Sequence, residues 1–245
     1  MDNWIELKNL DFSYGSQRVL NGLSVSVPQS HRVVALVGSS GVGKSTLLSL
    51  IAGFLQPQRG EIKLFDKVLD ESSRTPVVFQ DHNLFPWKTV YGNVEFGLKA
   101  KGIRSSERRE RVQHLMDKMG LGDKLELYPR DLSGGMKQRV GLARALAVEP
   151  DCILMDEPFS AIDHGTRAQI IAYFLESLEQ FDANAVLVTH DMREAVSVAS
   201  CVLKLAAPET LKKTEFEPVP WHELRNRDAE IQARIDKLGE ASEIS

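Results

Sequence analysis

Apolar and polar positions alternate over residues 5–10 and again over 25–27, with Tyr14-Gly15-Ser16 between them. The alternation predicts two strands, and the Gly-containing break predicts a turn joining them in antiparallel fashion. Residues 33–37 are instead an unbroken apolar run that stops at Gly38, the mark of a strand buried on both faces. A helix is predicted over 47–51, ending near Gly53, then a loop over 56–60 and strands over 61–65 and 77–79. Over 107–119 the apolar residues Val112, Leu115, Met116 and Met119 fall on one helical face, with Ser105 or Ser106 as the expected cap and Gly120 as the stop.

Further along, helices are predicted over 137–147, 166–181 and 192–199, and buried strands over 152–155 and 185–189. Ile170, Ile171, Phe174, Leu175 and Leu178 are the inward residues of the second of these helices. Strands alternating with helices predict an α/β fold with a parallel sheet and right-handed crossovers. The stretch from about 81 to 135 lacks strand signals and reads as a helical insertion. Past Leu205 the pattern weakens, Pro208, Pro218 and Pro220 interrupt it, and a short charged helix over 228–238 closes the chain.

The 245 residues carry 30 Lys+Arg against 34 Asp+Glu, and 42% are hydrophobic. That composition excludes a disordered chain and speaks against a general nucleic-acid binder, which is usually basic. No apolar run approaches the roughly 20 residues of a membrane span. Met1-Asp2-Asn3-Trp4 has neither the basic flank nor the apolar core of a signal peptide, so a cytoplasmic location is expected. Cys152 and Cys201 sit among apolar residues without metal-ligand spacing and are expected to be buried free thiols.

Candidate chemistry begins where the buried strand over 33–37 ends. Gly38-Ser39-Ser40-Gly41-Val42-Gly43-Lys44-Ser45-Thr46 fits G-x-x-x-x-G-K-[ST], between a strand and a helix. Such a loop turns successive backbone N–H groups toward phosphate, and the helix N-terminus adds its dipole. Lys44 would bridge the β- and γ-phosphates, and Ser45 would give an oxygen to Mg²⁺. A chance match occurs in about one random chain of this length in 100.

Asp156 and Glu157 follow the strand over 152–155, at the sheet edge where ligands bind in α/β folds. Asp156 is placed to hold Mg²⁺ through water, and Glu157 is free to polarise an attacking water. His190 ends the strand over 185–189 and Gln80 ends that over 77–79, so four strand ends are expected at one site. Ser133-Gly134-Gly135 opens the helix before 147 and forms a second anion-binding turn. One nucleotide does not need both loops from one chain. A two-fold dimer, each copy capping the other's nucleotide, accounts for the pair.

Together these motifs resemble the ATP-binding cassette (ABC) ATPases over residues 4–205. Gly38–Ser45 resembles Walker A, Ile153–Asp156 Walker B with Glu157 next, Gln80 the Q-loop and Leu132–Arg139 the signature. Ser160-Ala161-Ile162-Asp163 resembles the D-loop, His190 the switch histidine, and Tyr14 the aromatic that stacks on adenine. The resemblance implies an α/β P-loop NTPase (RecA-like) core, an antiparallel β subdomain and an α-helical signature subdomain at about 81–145. It implies a cassette over 1–205 and a C-terminal tail over 206–245.

The resemblance also implies ATP and Mg²⁺ as cofactors, and roles for individual residues. Glu157 is the general base, with His190, Gln80 and Lys44 beside it in catalysis. Ser45, Gln80 and Asp156 form the Mg²⁺ site. Ser133, Gly134 and Gly135 touch ATP across a head-to-tail ATP-sandwich dimer of two copies, and Asp163 links the two sites.

Phe85-Pro86-Trp87 and its surroundings are similar to the Pro-Trp segment of importer ATPases for nitrate, sulfonates, taurine and related solutes. These aromatics are either core of the helical subdomain or a groove for a membrane partner. The importer branch implies permease subunits, an external solute-binding protein reached through them, no nucleic acid, and a peripheral place on the cytoplasmic face of the inner membrane. A soluble non-transport ABC ATPase and an exporter ATPase are the alternatives. The chain departs from the family pattern at Ile162, usually Leu, and at Ser200-Cys201, usually Asp-Arg. It also lacks a Gly-Arg pattern in Ala206-Ala207-Pro208-Glu209-Thr210.

Overall fold

A computed structural model describes residues 3–68, 75–206, 210–215 and 228–240. Two compact units result, one from residues up to Thr75 together with those from Asn184 onward, the other from Pro76–Ala183.

In the first unit, β1 (Asn3–Tyr14) and β2 (Gln17–Pro28) form a hairpin in which Tyr14 faces Gln17 across Gly15-Ser16. The turn is tight because Gly15 takes φ +58°, which costs a residue without a β-carbon little. The other edge of β1 pairs with β4 (Arg59–Leu64), and β4 pairs with β5 (Lys67–Val68), giving the antiparallel order β2-β1-β4-β5. Trp4 is fully buried in this sheet. Its indole N–H donates to the His31 carbonyl at 2.8 Å, so the large side chain is buried with its polar atom satisfied.

Every residue of β3 (Val33–Val37) is buried. The reason is topological: β3 runs parallel between β8 (Asn184–Val188) and β9 (Cys201–Ala206), which leaves neither edge free. Helix α1 (Lys44–Ile51) follows β3, and α6 (Met192–Val198) joins β8 to β9. Antiparallel to β9 runs β10 (Thr210–Glu215). Helix α7 (Asp228–Glu240) rests on α6: the Arg234 guanidinium, almost fully buried, donates to the Val196 carbonyl at 3.4 Å and pairs with Glu230 at 3.2 Å.

The second unit pairs β6 (Val77–Val78) in parallel with β7 (Cys152–Asp156). Three helices, α2 (Val90–Ala100), α3 (Ser105–Lys118) and α4 (Gly134–Ala147), pack on one another, and α5 (His164–Phe181) follows β7. Val112, Leu115, Met116 and Met119 are all buried, as their spacing predicts.

Several expectations are corrected. Helix α3 is flanked by Arg104 with no side-chain cap, and Ser105 is its first helical residue. Leu175 is only half-buried. Its place on the inner face of α5 goes to Ser177, which is buried because its hydroxyl donates to the Tyr173 carbonyl at 2.7 Å. Helices α1, α4 and α5 start two or three residues earlier than their apolar periodicity suggests. First helical turns carry polar residues and glycines that serve the unpaired N–H groups, and periodicity does not register them. Strand β4 begins at Arg59, inside the expected loop. Strands β9 and β10 were not anticipated, the second because its Lys-rich sequence is that of a protected edge. Pro208, Pro218, Pro220 and the 207–209 part of the departing segment lie outside the described residues.

Both cysteines are free and buried. Burial pushes the Cys201 thiol up to about 12 and raises that of Cys152 as well. Among the described residues no helix is long and apolar enough to cross a membrane.

Candidate functional site

The glycine-rich sequence that opens at Gly38 leaves β3 as a loop and re-enters structure at Lys44, the first residue of α1. The loop is pressed against the sheet: a β-carbon on Gly38 would stand 2.3 Å from the Leu205 carbonyl oxygen of β9. Only glycine fits there, and the apolar run of β3 ends at that residue. Lys44 folds back over the loop, its ammonium donating to the Gly38 and Ser39 carbonyls at 2.9 and 2.8 Å. Ser39, Ser40, Gly41 and Ser45 are exposed, while Val42, Gly43 and Thr46 are half-buried.

His190 reaches the same edge by a separate route. β8 pairs with β3 up to Leu36 and Val188, and the Thr189 N–H donates to the Leu36 carbonyl at 3.2 Å. His190 is therefore the first exposed residue past the paired strands. Next to it Asp191 caps α6, its carboxylate accepting from the Arg193 and Glu194 N–H groups at 2.9 and 3.1 Å. Tyr14 is 52% exposed at the hairpin end, and its ring stands at 86° to that of Phe12 with the centroids 5.0 Å apart.

In the second unit the parallel pairing of Val78 with Met155 brings the ends of β6 and β7 together. Gln80 and Glu157 consequently meet, the amide Nε2 donating to Glu157 Oε2 at 3.2 Å. Glu157 takes a left-handed backbone, φ +49°, sparsely populated by residues other than Gly, Asn and Asp. Its carbonyl accepts from Gln138 Nε2 at 2.6 Å and from the Ser160 hydroxyl at 2.9 Å, which fix that geometry. Asp156, half-buried, is the last residue of β7.

Ser133 caps α4, its hydroxyl accepting from the Met136 N–H at 3.3 Å. Gly135 lies against the loop that follows Glu157: a β-carbon there would be 2.6 Å from the Ala161 carbonyl oxygen, while one on Gly134 would have room. Asp163 caps α5, accepting from the Thr166 N–H at 3.1 Å and its hydroxyl at 2.5 Å. Those two bonds, hydroxyl first, and the Arg139 charge hold the Asp163 carboxyl below the ordinary carboxylate range. The Ser-Gly-Gly turn and the Asp163 loop are thus neighbours within this unit.

Trp87 is 71% exposed and Phe96 47% exposed, so neither belongs to the core of the helical part. They flank Phe85, whose ring lies 5.7 Å from Trp87 and 4.7 Å from Phe96. The loop bearing Trp87 is held by the fully buried Asn93, whose amide accepts from the Phe85 N–H at 2.8 Å and donates to the Thr89 carbonyl at 2.9 Å.

Sequence reasoning assigned no role to Gln138, Asn93 or Arg144. For Gln138 a signal exists: it shares a helical stripe with Leu142 and Ala145, all three are buried, and a polar residue on an inward stripe needs dedicated partners. Asn93 falls among the buried Val90, Val94 and Leu98 of α2 in the same way.

Comparison with known proteins identifies the family. The profile of the ABC transporter family matches residues 20–160. The nitrate import ATP-binding protein NrtD of Synechocystis sp. is 39% identical over 235 residues, spanning 94% of this chain and 88% of its own length. The taurine import ATP-binding protein TauB of Escherichia coli O157:H7 is 39% identical over 203 residues, 82% of this chain and 79% of its own. Among solved structures, the dimeric post-hydrolysis state of the ATP-binding cassette MJ0796 bound to ADP and Pi superposes with a TM-score of 0.76 at 30% identity. It covers 88% of this chain and 100% of its own. The fold is accordingly an α/β P-loop NTPase core with an antiparallel β part and a helical part. On the family match and the length over which these relatives align, the chain belongs to the ABC transporter family, as an ATP-binding subunit that hydrolyses ATP.

Proposed function

We propose that this subunit drives import of a small solute such as a sulfonate, taurine or a nitrate-like anion, as a dimer docked on permease subunits at the cytoplasmic face of the inner membrane. The observation that carries the reading is the 39% identity to NrtD over nearly the whole length of both chains. An external solute-binding protein delivers the solute to the permease. The domain reading belongs with it: a cassette over 1–205, its helical subdomain at about 81–145, and a tail over 206–245. Helices α2 to α4, which lie within 90–147, support that subdomain.

In this reading Gly38–Thr46 cradle the phosphates of ATP, Lys44 moves from its own loop carbonyls to the β- and γ-phosphates, and Tyr14 stacks on adenine. Glu157 takes the proton of the attacking water, a contribution of about 10²–10⁴-fold. Gln80 and His190 orient that water and the γ-phosphate. Ser133, Gly134 and Gly135 of a second copy close over the nucleotide, and Asp163 joins the two sites. Ser45, Gln80 and Asp156 offer only oxygen ligands from the protein side, which suits Mg²⁺ held partly by phosphate and water. Among the described residues no cluster of His, Cys, Asp and Glu competes for the ion. Bound there, Mg²⁺ neutralises charge on the phosphates.

Glu157→Gln is the first test. The expected protein binds ATP, elutes as a dimer with it, and releases phosphate at least about 100-fold more slowly. Wild-type turnover in this variant would overturn the Glu157 assignment. For transport, the tagged variant purified from detergent-solubilised native membranes should carry its permease. Recovery with soluble partners alone would favour a non-transport ATPase.

A further inference from the structure

The segment after Gln80 holds two consecutive residues in the left-handed region, His82 at φ +62° and Asn83 at φ +41°. Neither is glycine, and such a pair persists only where its surroundings determine it. What determines it is Arg144, on the second half of α4. The guanidinium spans both carbonyls, Nη1 donating to Asn83 at 2.8 Å and Nη2 to His82 at 3.1 Å. Its face also lies 5.5 Å from the centre of the Phe85 ring, the ring packed between Trp87 and Phe96.

A planar fork with two parallel N–H groups suits two adjacent carbonyls, and a lysine cannot reproduce it. The clamped pair stands two and three residues past Gln80, with the His82 N–H returning to the Phe79 carbonyl at 3.0 Å. The direction in which the chain leaves Gln80 is therefore set by Arg144, and with it the reach of the Gln80 amide to Glu157.

We propose that Arg144 is a positioning residue for hydrolysis: it fixes the left-handed pair at 82–83 and so holds Gln80 against Glu157, while bracing Phe85 in the exposed aromatic cluster. The inference rests on the proposed catalytic role of Gln80. Arg144 acts through the main chain, and the Phe85 contact gives the aromatic surface a mechanical link to Gln80.

The experiment is steady-state ATPase kinetics on the full chain. Arg144→Lys keeps the charge and loses the fork, and should lower kcat about 10-fold with KM for ATP within about 2-fold of wild type. Adding His82→Gly and Asn83→Gly to that variant should return kcat to within about 3-fold, because glycine enters the left-handed region without the strain that Arg144 otherwise offsets. A purely structural role for Arg144 would not be rescued by two glycines. Should Arg144→Lys fail to fold, Asn83→Val carries the test. Its site is exposed, a β-branched residue opposes positive φ, and about the same 10-fold loss is expected. Unchanged kcat in Arg144→Lys or Asn83→Val, a rise in KM alone, or failed rescue overturns the proposal. Gln80→Ala separates the two levels: full turnover there removes the Gln80 reading and this inference with it, whereas a loss there beside an active Arg144→Lys removes the inference alone.

Discussion

The side chain of Gln138 ties the main chain at Glu157 to the main chain at Ala161, with Nε2 donating to the Glu157 carbonyl at 2.6 Å and Oε1 accepting from the Ala161 N–H at 2.8 Å. One fully buried amide thus sets both the left-handed turn that presents Glu157 and the loop that leads to Asp163. Gln138→Leu keeps the volume and removes both bonds. The Glu157 carbonyl retains its Ser160 donor, so the Ala161 N–H bears most of the loss, about 1–2 kcal/mol. Expected are a melting temperature lower by about 3–6 °C and a kcat reduced more than tenfold, roughly as for a misplaced base. Calorimetry and phosphate release check both. A normal kcat at lowered stability would make Gln138 a purely structural residue.

Gly135→Ala sets two effects against each other. Alanine in a helix is favoured over glycine by about 1 kcal/mol. Against that, the new methyl would stand 2.6 Å from the Ala161 carbonyl oxygen, a backbone atom that cannot rotate away. The clash should win, since overpacking costs about 1–3 kcal/mol. Thermal melting is therefore expected to shift down, and an upward shift would mean that the 160–163 loop yields freely. Gly134→Ala, with room for its methyl, is the matched control for stability.

Much of this was legible in the chain itself, and the reasons for success and failure are physical. Val33–Val37 declared itself because a strand flanked on both sides in parallel must be apolar at every position. The Gln80–Glu157 meeting followed from two strands ending at one edge. Gln138 and Arg144 were not read because their partners are main-chain atoms, at 157 and 161 and at 82 and 83, and a carbonyl leaves no trace in the residue type that carries it. Strand β10 escaped for another reason. Pairing with β9 makes it a strand, and its own lysines speak only for an exposed edge.

Trp87→Ala should leave the fold and basal ATPase of the free subunit within about 2-fold, since surface changes seldom move stability by more than about 0.5 kcal/mol. Association with the permease is where the loss is expected, at about tenfold or more for a central aromatic anchor. Co-purification from detergent-solubilised membranes reads it out. Undiminished recovery of permease would assign the aromatic cluster another purpose.

His31 supplies a pH dependence of stability. Its Nδ1 lies 2.9 Å from the Ser200 hydroxyl, and Nε2 is 3.5 Å from Glu215, which also pairs with Lys213. Burial lowers the pKa of His31, against the pull of Glu215, with Lys213 adding to the lowering. The unfolded chain therefore takes up a proton before the folded one does. Stability from this residue is fully present above the ordinary imidazole value of about 6.5, and is lost as the pH falls through it and then through the lower folded value. Melting temperature should drop between pH 7 and 5.5, and His31→Gln should flatten that drop. An identical slope in both proteins would assign the dependence to other groups.

The absent β-carbon of Gly38 has a consequence at the far end of the chain. Where that carbon would stand is the carbonyl of Leu205, so the floor of the phosphate loop is β9. Strand β9 is in turn anchored from behind, by Lys204 to the Leu238 carbonyl at 3.4 Å and, through its neighbour β10, by Lys237 to the Glu215 carbonyl at 3.2 Å. The closing helix is thus a buttress under the Gly38 turn, and a push on that helix is passed through β9 to the backbone at Gly38.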